Sequence, residues 1–456
     1  MKFTHRTYER GQTIAAIATP PGEGGIAVIR ISGEEALAVS DKIFSGPIFS
    51  FKTHTVHFGK ILNETGVFID EGLAVVMRAP HSYTGEDTVE IHCHGGILIT
   101  RQVLKAALGS GARVALPGEF TCRAFQNGKI DLTKAEAVQQ LIHAKSVLAM
   151  QAAENQLQGK LHQIIVSFQS KLTDIAATLE AWVDFPEEGL VLASHEHMCD
   201  EMMHIKKRML FLLETFDEGK KLQTQPSICL LGAPNVGKSS LMNTLLGEER
   251  AIVTHVPGTT RDTLEETLLL GHLNCLLIDT AGLRKADNLI EREGIKRSFV
   301  AAKNADLLLF LVDVSHPVFD SELIDTFPQD RTLVVWNKTD LSPAPFLPSF
   351  PFPSVEISAK TGKGIEQLKK GISRIMWGKG VPSKEQVILT SERHFESLRR
   401  ATETVEKVIQ GLKCQLSPEF LTSDIRSALQ ELGTIIGLDV TEDILGAIFA
   451  KFCVGK

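Results

Sequence analysis

Three absences bound what this chain can be. It has no long uninterrupted apolar run: Leu307 to Val312 is a buried strand at most, and Ile14 to Ala18 is too short for a signal-peptide core. A soluble, cytoplasmic protein is expected. Nor is there a disulfide framework. The cysteines are odd in number and scattered (Cys93, Cys122, Cys199, Cys229, Cys275, Cys414 and Cys453), which fits a reducing compartment. Finally, there is no surplus of positive charge. A formal net charge of −7 argues against indiscriminate nucleic-acid binding, because counterion release needs clustered Lys and Arg. Any RNA contact must use a local patch or a partner's surface.

What remains is ordinary globular composition over 456 residues, 43% hydrophobic and 23% charged, enough for about three domains at ~150 residues each. Thr13 to Ser32 reads as two strands around the Pro20-Pro21-Gly22 turn, with further strands at Leu73 to Met77 and Thr88 to His92 and a helix at Ile97 to Ala107. Residues 1–127 are therefore expected to form an α+β domain. His92-Cys93-His94 invites a metal reading, but a strand turns Cys away from the two His, and no second ligand pair lies at zinc spacing. His94-Gly95-Gly96 is better read as a turn where backbone comes close to something, or as a tight turn alone.

From Lys134 to about Lys221 the pattern is helical, and Leu157, Leu161, Ile164, Ile165, Phe168, Leu172 and Ile175 form one apolar face. Asp184-Phe-Pro-Glu-Glu188 interrupts it. Helical spacing returns beyond Gly378-Lys-Gly-Val-Pro-Ser383, with Phe395, Leu398, Val405, Val408, Ile409 and Leu412 on one side. Two helical blocks, 128–221 and 380–456, thus flank residues 222–379, and the simplest architecture inserts the middle segment into one helical domain.

Within that insert, apolar strand candidates alternate with helical stretches, the pattern of a mostly parallel sheet covered on both faces. Gly232-x-x-x-x-Gly237-Lys238-Ser239 follows the first strand and has P-loop spacing. Backbone N–H groups of Asn235, Val236, Gly237, Ser239 and Ser240 are available to phosphates, Lys238 adds a mobile charge, and the Ser239 hydroxyl can ligate Mg²⁺. Asp279-Thr280-Ala281-Gly282 stands where a carboxylate would hold Mg²⁺ through water and sense the γ-phosphate. Asn337-Lys338-Thr-Asp340 carries the base selector. A carboxylate at Asp340 can accept from guanine N1–H and the 2-amino group, donors that adenine lacks. Ser358-Ala359-Lys360 completes the base pocket. Thr254-His255-Val256-Pro257-Gly258-Thr259-Thr260 occupies the place of a mobile switch, with Thr260 as second Mg²⁺ ligand. Leu283 stands where Ras-like proteins keep a water-positioning Gln, so hydrolysis needs another device. The Asn235 amide oxygen can hold a monovalent cation against the phosphates, or merely brace the loop.

Together with TPPGEGGIAVIRISG, TGEDTVEIHCHGG, LPGEFTCRAFQNGKIDLTKAEA, DFPEE and the terminal Cys453-Val-Gly-Lys456, these motifs make the chain closely resemble the tRNA-modifying GTPase family MnmE, also called TrmE. The resemblance implies an α+β N-terminal folate-binding domain that drives homodimerisation, a discontinuous all-α domain and an inserted Ras-like α/β GTPase domain. It places Arg30, Glu90, Lys129 and Lys456 against a 5,10-methylene- or 5-formyl-tetrahydrofolate. K⁺ falls to Asn235, Thr254, Thr259 and the Val256 carbonyl, and the hydrolytic water to Glu291. Cys453 is implicated in the modification chemistry. The partner would be the flavoprotein MnmG (GidA), carrying FAD and using NADH, and the reaction would add aminomethyl or carboxymethylaminomethyl groups to C5 of the wobble uridine of certain tRNAs. The rival expectation, an Era-like ribosome-assembly or regulatory switch, calls for an RNA-binding domain after the nucleotide domain and leaves the N-terminal blocks without purpose.

Overall fold

The computed structural model describes residues 11–184, 195–248, 265–270, 273–279, 304–317, 326–341, 351–378 and 380–455. The chain divides into two compact units, one made of 1–142, 156–209 and 396–456 and the other of 143–155 and 210–395.

The first unit holds a six-stranded sheet in the order β3-β4-β5-β2-β1-β6, with β1 Ile14–Ile17, β2 Gly24–Ser32, β3 Thr55–Leu62, β4 Phe68–Met77, β5 Thr88–Gly95 and β6 Arg113–Val114. The strands expected around the Pro20-Pro21 turn are β1 and β2, paired antiparallel with Ala16 opposite Arg30. Period-two alternation sends Ile29, Ile31, Val89, Ile91 and Cys93 into a core shared with α1 (Ala36–Ile43) and α2 (Ile97–Gly109). The same alternation turns Arg30, Glu90 and His92 to the opposite face. Arg30 and Glu90 are direct register partners across β2 and β5, so their side chains meet.

Cys93 faces the core as the strand reading requires, and burial pushes its thiol up to about 11. At Gly95 the close approach is to a neighbouring strand: a Cβ there would lie 2.3 Å from the Gly24 carbonyl oxygen. After β6 comes α3 (Glu119–Gln126), followed by α4 (Leu132–His143), α5 (Val147–Leu157), α6 (Lys160–Asp184) and α7 (His195–Leu213). The apolar stripe is split where the spacing predicted one continuous face. Leu157 ends α5, Gly159 adopts φ +83, and the buried stripe of α6 runs Leu161, Ile165, Phe168, Leu172, Ile175 and Leu179. Glycine alone takes that backbone conformation without penalty.

Residues 396–456 supply most of α11 (Glu392–Lys413), all of α12 (Pro418–Ile436), which packs along α6, and the short α13 (Glu442–Phe449). Phe449 and Phe452 are buried with Cys122 and Leu132, which fastens the end of the chain to the N-terminal sheet's side of this unit.

The second unit contains α8 (Phe216–Gln223), α9 (Lys238–Glu248), α10 (Ile365–Trp377) and the sheet β12-β11-β10-β7-β9-β8. Its strands are β7 Ser227–Gly232, β8 Glu265–Leu270, β9 Leu273–Asp279, β10 Leu307–Asp313, β11 Thr332–Asn337 and β12 Ser354–Glu356. All pairings are parallel except β8 with β9. Successive residues of β10 enter two different cores: Leu307, Leu309 and Leu311 pack with α9 and α10, while Leu308, Phe310 and Val312 pack with Phe327, Trp336 and Phe352. Burial on both faces explains the unbroken apolar strands. Leu148, Ala152, Leu222 and Ile388 join the first of these cores, which draws 143–155 and 210–221 into the same unit as the sheet.

Candidate functional site

In the second unit, the carboxyl ends of the parallel strands carry the motifs, where such sheets bind ligands. β7 ends at Gly232, where only glycine fits, because a Cβ there would meet the Leu311 carbonyl oxygen at 2.4 Å. The loop then turns through Asn235 (φ +62) and Gly237 (φ +100) into α9, so its N–H groups face a common centre at the helix start. Lys238 is buried, and its ammonium donates to the Gly232 and Ala233 carbonyls at 2.8 Å each, which holds the charge over the loop. Ser239 and Ser240 are exposed at the helix N-terminus.

Asn337 ties this loop to the base side of the pocket. Its Nδ2 donates to the Val236 carbonyl at 2.8 Å, and its Oδ1 accepts from the Ala359 amide at 2.9 Å. A Cβ at Gly237 would lie 2.3 Å from the Asn337 amide nitrogen, so a side chain there would strike it. Asp340 is held by the Ser358 hydroxyl at 2.7 Å, and that bond, with Lys360 and Lys338 nearby, keeps its carboxyl below the usual range. The Asp340 carboxylate is therefore ionised at neutral pH and oriented by Ser358. Thr244 of α9 adds a further brace to the Ala359 carbonyl at 2.8 Å. The P-loop and the loops after β11 and β12 are thus joined through Asn337, Asp340, Ser358 and Ala359 at the carboxyl ends of the strands.

The oxygen donors present suit a hard cation. Ser239 offers a hydroxyl at the start of α9, and the backbone of β9 ends at Asp279 in register with Leu230 of the P-loop strand. Asn235 is exposed at the mouth of the loop, where an amide oxygen is a fitting ligand for a monovalent ion. Thr254, His255, Val256, Pro257, Gly258, Thr259, Thr260, Thr280, Ala281, Gly282, Glu291 and Lys456 lie outside the described residues.

The first unit has its own constellation. Arg30 Nε donates to Glu90 Oε1 at 2.8 Å, the Arg30 guanidinium sits 5.7 Å from the Phe120 ring centroid, and Nη1 reaches the Gly455 carbonyl at 3.4 Å. The C-terminal tail is therefore docked where the two expected folate residues meet. A Cβ at Gly455 would lie 2.4 Å from the Ile17 carbonyl oxygen, so only glycine lets the tail come this close. Cys453 is exposed, and its carbonyl accepts from the Gly118 amide at 3.4 Å. Lys129 donates to the Pro80 carbonyl at 2.8 Å.

Sequence reasoning passed over two neighbours. Tyr83 bonds Thr121 at 3.0 Å, with its phenol pushed up by burial against smaller opposing effects of Thr121 and Arg30. Glu119 is fully buried between Arg113 and Arg123. Neither has a motif signal beyond its place near Arg30 or in LPGEF. Among the described residues no cluster of His, Cys, Asp and Glu suits a metal ion, and no helix is long and apolar enough to cross a membrane.

Comparison with known proteins decides the family. The profile described as "GTP-binding protein TrmE N-terminus" matches residues 13–129, and the "MnmE helical domain" profile matches 132–453. The chain belongs to the MnmE family of tRNA modification GTPases. The MnmE of Protochlamydia amoebophila is 54% identical over 459 residues, covering 100% of both chains. That of Chlamydia trachomatis serovar A is 44% identical, covering 98% of this chain and 100% of its own, and that of Chlamydia pneumoniae is 45% identical, covering 97% and 99%. As a member of the MnmE family the chain is a GTP hydrolase acting in tRNA modification, with the TrmE-type N-terminal domain, the helical domain and the GTPase fold in one polypeptide.

Proposed function

We propose that this GTPase is K⁺-dependent and activated by dimerisation, and that with the flavoprotein MnmG it builds aminomethyl or carboxymethylaminomethyl groups on C5 of the wobble uridine of certain tRNAs, with a tetrahydrofolate one-carbon donor supplying the methylene carbon and ammonium or glycine supplying the nitrogen. The observation that carries the reading is the meeting of Arg30, Glu90 and the Gly455 carbonyl, which puts the tail bearing Cys453 beside a charged pair suited to a pterin and its carboxylates.

In this reading Glu90 accepts from pterin N–H donors while Arg30, held by Glu90 and Phe120, meets anionic groups. When bound, the folate supplies the carbon at the formaldehyde or formate level, and the chain's part is to orient it and exclude water. In the GTPase domain Asp340 reads guanine, Lys238 neutralises the outer phosphates, and Ser239 with Thr260 holds Mg²⁺. Asn235, Thr254, the Val256 carbonyl and Thr259 would hold K⁺, which would supply the positive charge an arginine finger gives elsewhere, and Glu291 would orient water.

Nucleoside analysis of tRNA from cells depleted of this protein tests the reading. Loss of the C5 substituent on the wobble uridine supports it, and unchanged modification refutes it.

A further inference from the structure

β10 ends on Asp313 and β11 on Asn337, and the two are register partners. From that position Asp313 Oδ2 accepts the Lys338 ammonium at 2.6 Å, while Oδ1 accepts the Ser315 amide at 2.9 Å. The Asp313 side chain is 14% exposed and that of Lys338 30%, so the pair is shielded more than a surface ion pair. Lys338 itself sits at φ +68, a conformation a lysine keeps only where its surroundings enforce it. The residue before it bridges the P-loop and the Ala359 amide, and the residue two after it is the Ser358-bonded Asp340. Lys338 therefore stands between the phosphate loop and the base selector, with its ammonium fastened to a different strand.

A lysine anchored at its far end presents a fixed methylene stem. Apolar stems of this kind cover flat surfaces well when the charged head has its own partner. We infer that Asp313 is a positioning residue for nucleotide binding: it pins the ammonium of Lys338 so that the lysine stem forms a fixed wall against one face of the base. The inference rests on the reading of Asp340 as the guanine selector and adds the residue that holds the adjoining wall. Asp313 is charged for this task at neutral pH. Burial pushes its carboxyl up, but the Lys338 and Ser315 contacts outweigh burial and hold it below the ordinary carboxylate range. No motif marks this residue, since an Asp after an apolar strand is common.

A merely structural Asp313 would brace the ends of β10 and β11 whether or not Lys338 were there. A double-mutant cycle on the full chain separates the two roles, reading the Kd for GDP by calorimetry. Asp313→Asn should weaken GDP about tenfold, the loss expected of one charge-assisted contact. In a Lys338→Met background the same substitution should add less than about twofold, because its only route to the nucleotide has been removed. Asp313→Glu should recover part of the affinity by restoring the carboxylate, and it carries the cycle if Asp313→Asn does not fold. An equal loss in both backgrounds, or no loss in the first, overturns the inference. Failure of the Asp340 reading would show separately, as an Asp340→Asn chain that does not exchange guanine for xanthine nucleotides, while the Asp313–Lys338 coupling would still be readable with GDP.

Discussion

Arg30 bonds the carbonyl of Gly455, 425 residues further along the chain, while its Nε is held by Glu90. Through this contact the last residues of the protein become part of a site on the N-terminal sheet. If the pair binds folate, Glu90→Ala removes an acceptor and leaves Arg30 without its carboxylate. Affinity for 5-formyl-tetrahydrofolate should fall by about 10- to 100-fold, the range for hydrogen bonds to charged groups. Calorimetry on the purified protein measures it, and unchanged binding would remove Glu90 from the site.

Asn337 joins the P-loop to the base pocket by two buried hydrogen bonds. Asn337→Ala leaves the Val236 carbonyl and the Ala359 amide unpaired, at about 1–3 kcal/mol each. GDP binding should weaken at least about tenfold for that reason. Wild-type affinity in this variant would show that the brace does not shape the pocket.

Asp340 keeps its carboxyl below the usual range through Ser358, Lys360 and Lys338. It stays ionised as pH falls to the ordinary Asp value of 3.8, so protonation of this residue should not weaken GDP binding between pH 8 and pH 5. Asp340→Asn should reverse the preference between guanine and xanthine nucleotides, since the amide offers a donor where the carboxylate accepted. Competition binding with GDP and XDP reads this, and an unchanged preference would place base selection elsewhere.

These elements differ in how far they could be read in advance. Strand alternation is short-range, so the common face of Arg30 and Glu90 follows from β2 and β5 alone, and the nucleotide motifs declare themselves by spacing. The docking of Gly455 joins opposite ends of the chain and leaves no local pattern. Gly159 shows the same limit at close range: Leu157 and Leu161 have helical spacing, and only the φ of the glycine between them reveals two helices. Asp313 escaped notice because its meaning comes from the Lys338 ammonium on a neighbouring strand.

Glu119 is a structural charge with a pH signature. Burial pushes its carboxyl up, but Arg113, the Leu116 amide and Arg123 together hold it below 4.5. Its contribution is present above the unfolded value near 4.5 and is lost as pH falls through the lower folded value. Glu119→Gln should cost about 3 kcal/mol at neutral pH, because two arginines lose their buried partner. Urea unfolding measures this, and a cost near zero would mean that solvent satisfies both arginines.

Burial pushes the thiols of Cys122 and Cys275 up to about 12 and that of Cys93 to about 11, whereas Cys453 and Cys414 are exposed. Brief iodoacetamide treatment at pH 8 should alkylate Cys453 and Cys414 and spare the buried Cys93, Cys122, Cys229 and Cys275. Peptide mass spectrometry distinguishes them, and early labelling of Cys122 would contradict its place beside Phe449.

In the proposed reaction a folate carbon held at the Arg30–Glu90 site becomes the methylene attached to C5 of the wobble uridine. Reconstitution with MnmG, FAD, NADH, GTP, Mg²⁺, K⁺, ammonium or glycine and unmodified tRNA, using a folate donor labelled with ¹³C at the one-carbon position, reads this out. The account predicts ¹³C in the methylene attached to C5 of that nucleoside. Modification that proceeds with no label at that carbon would contradict it.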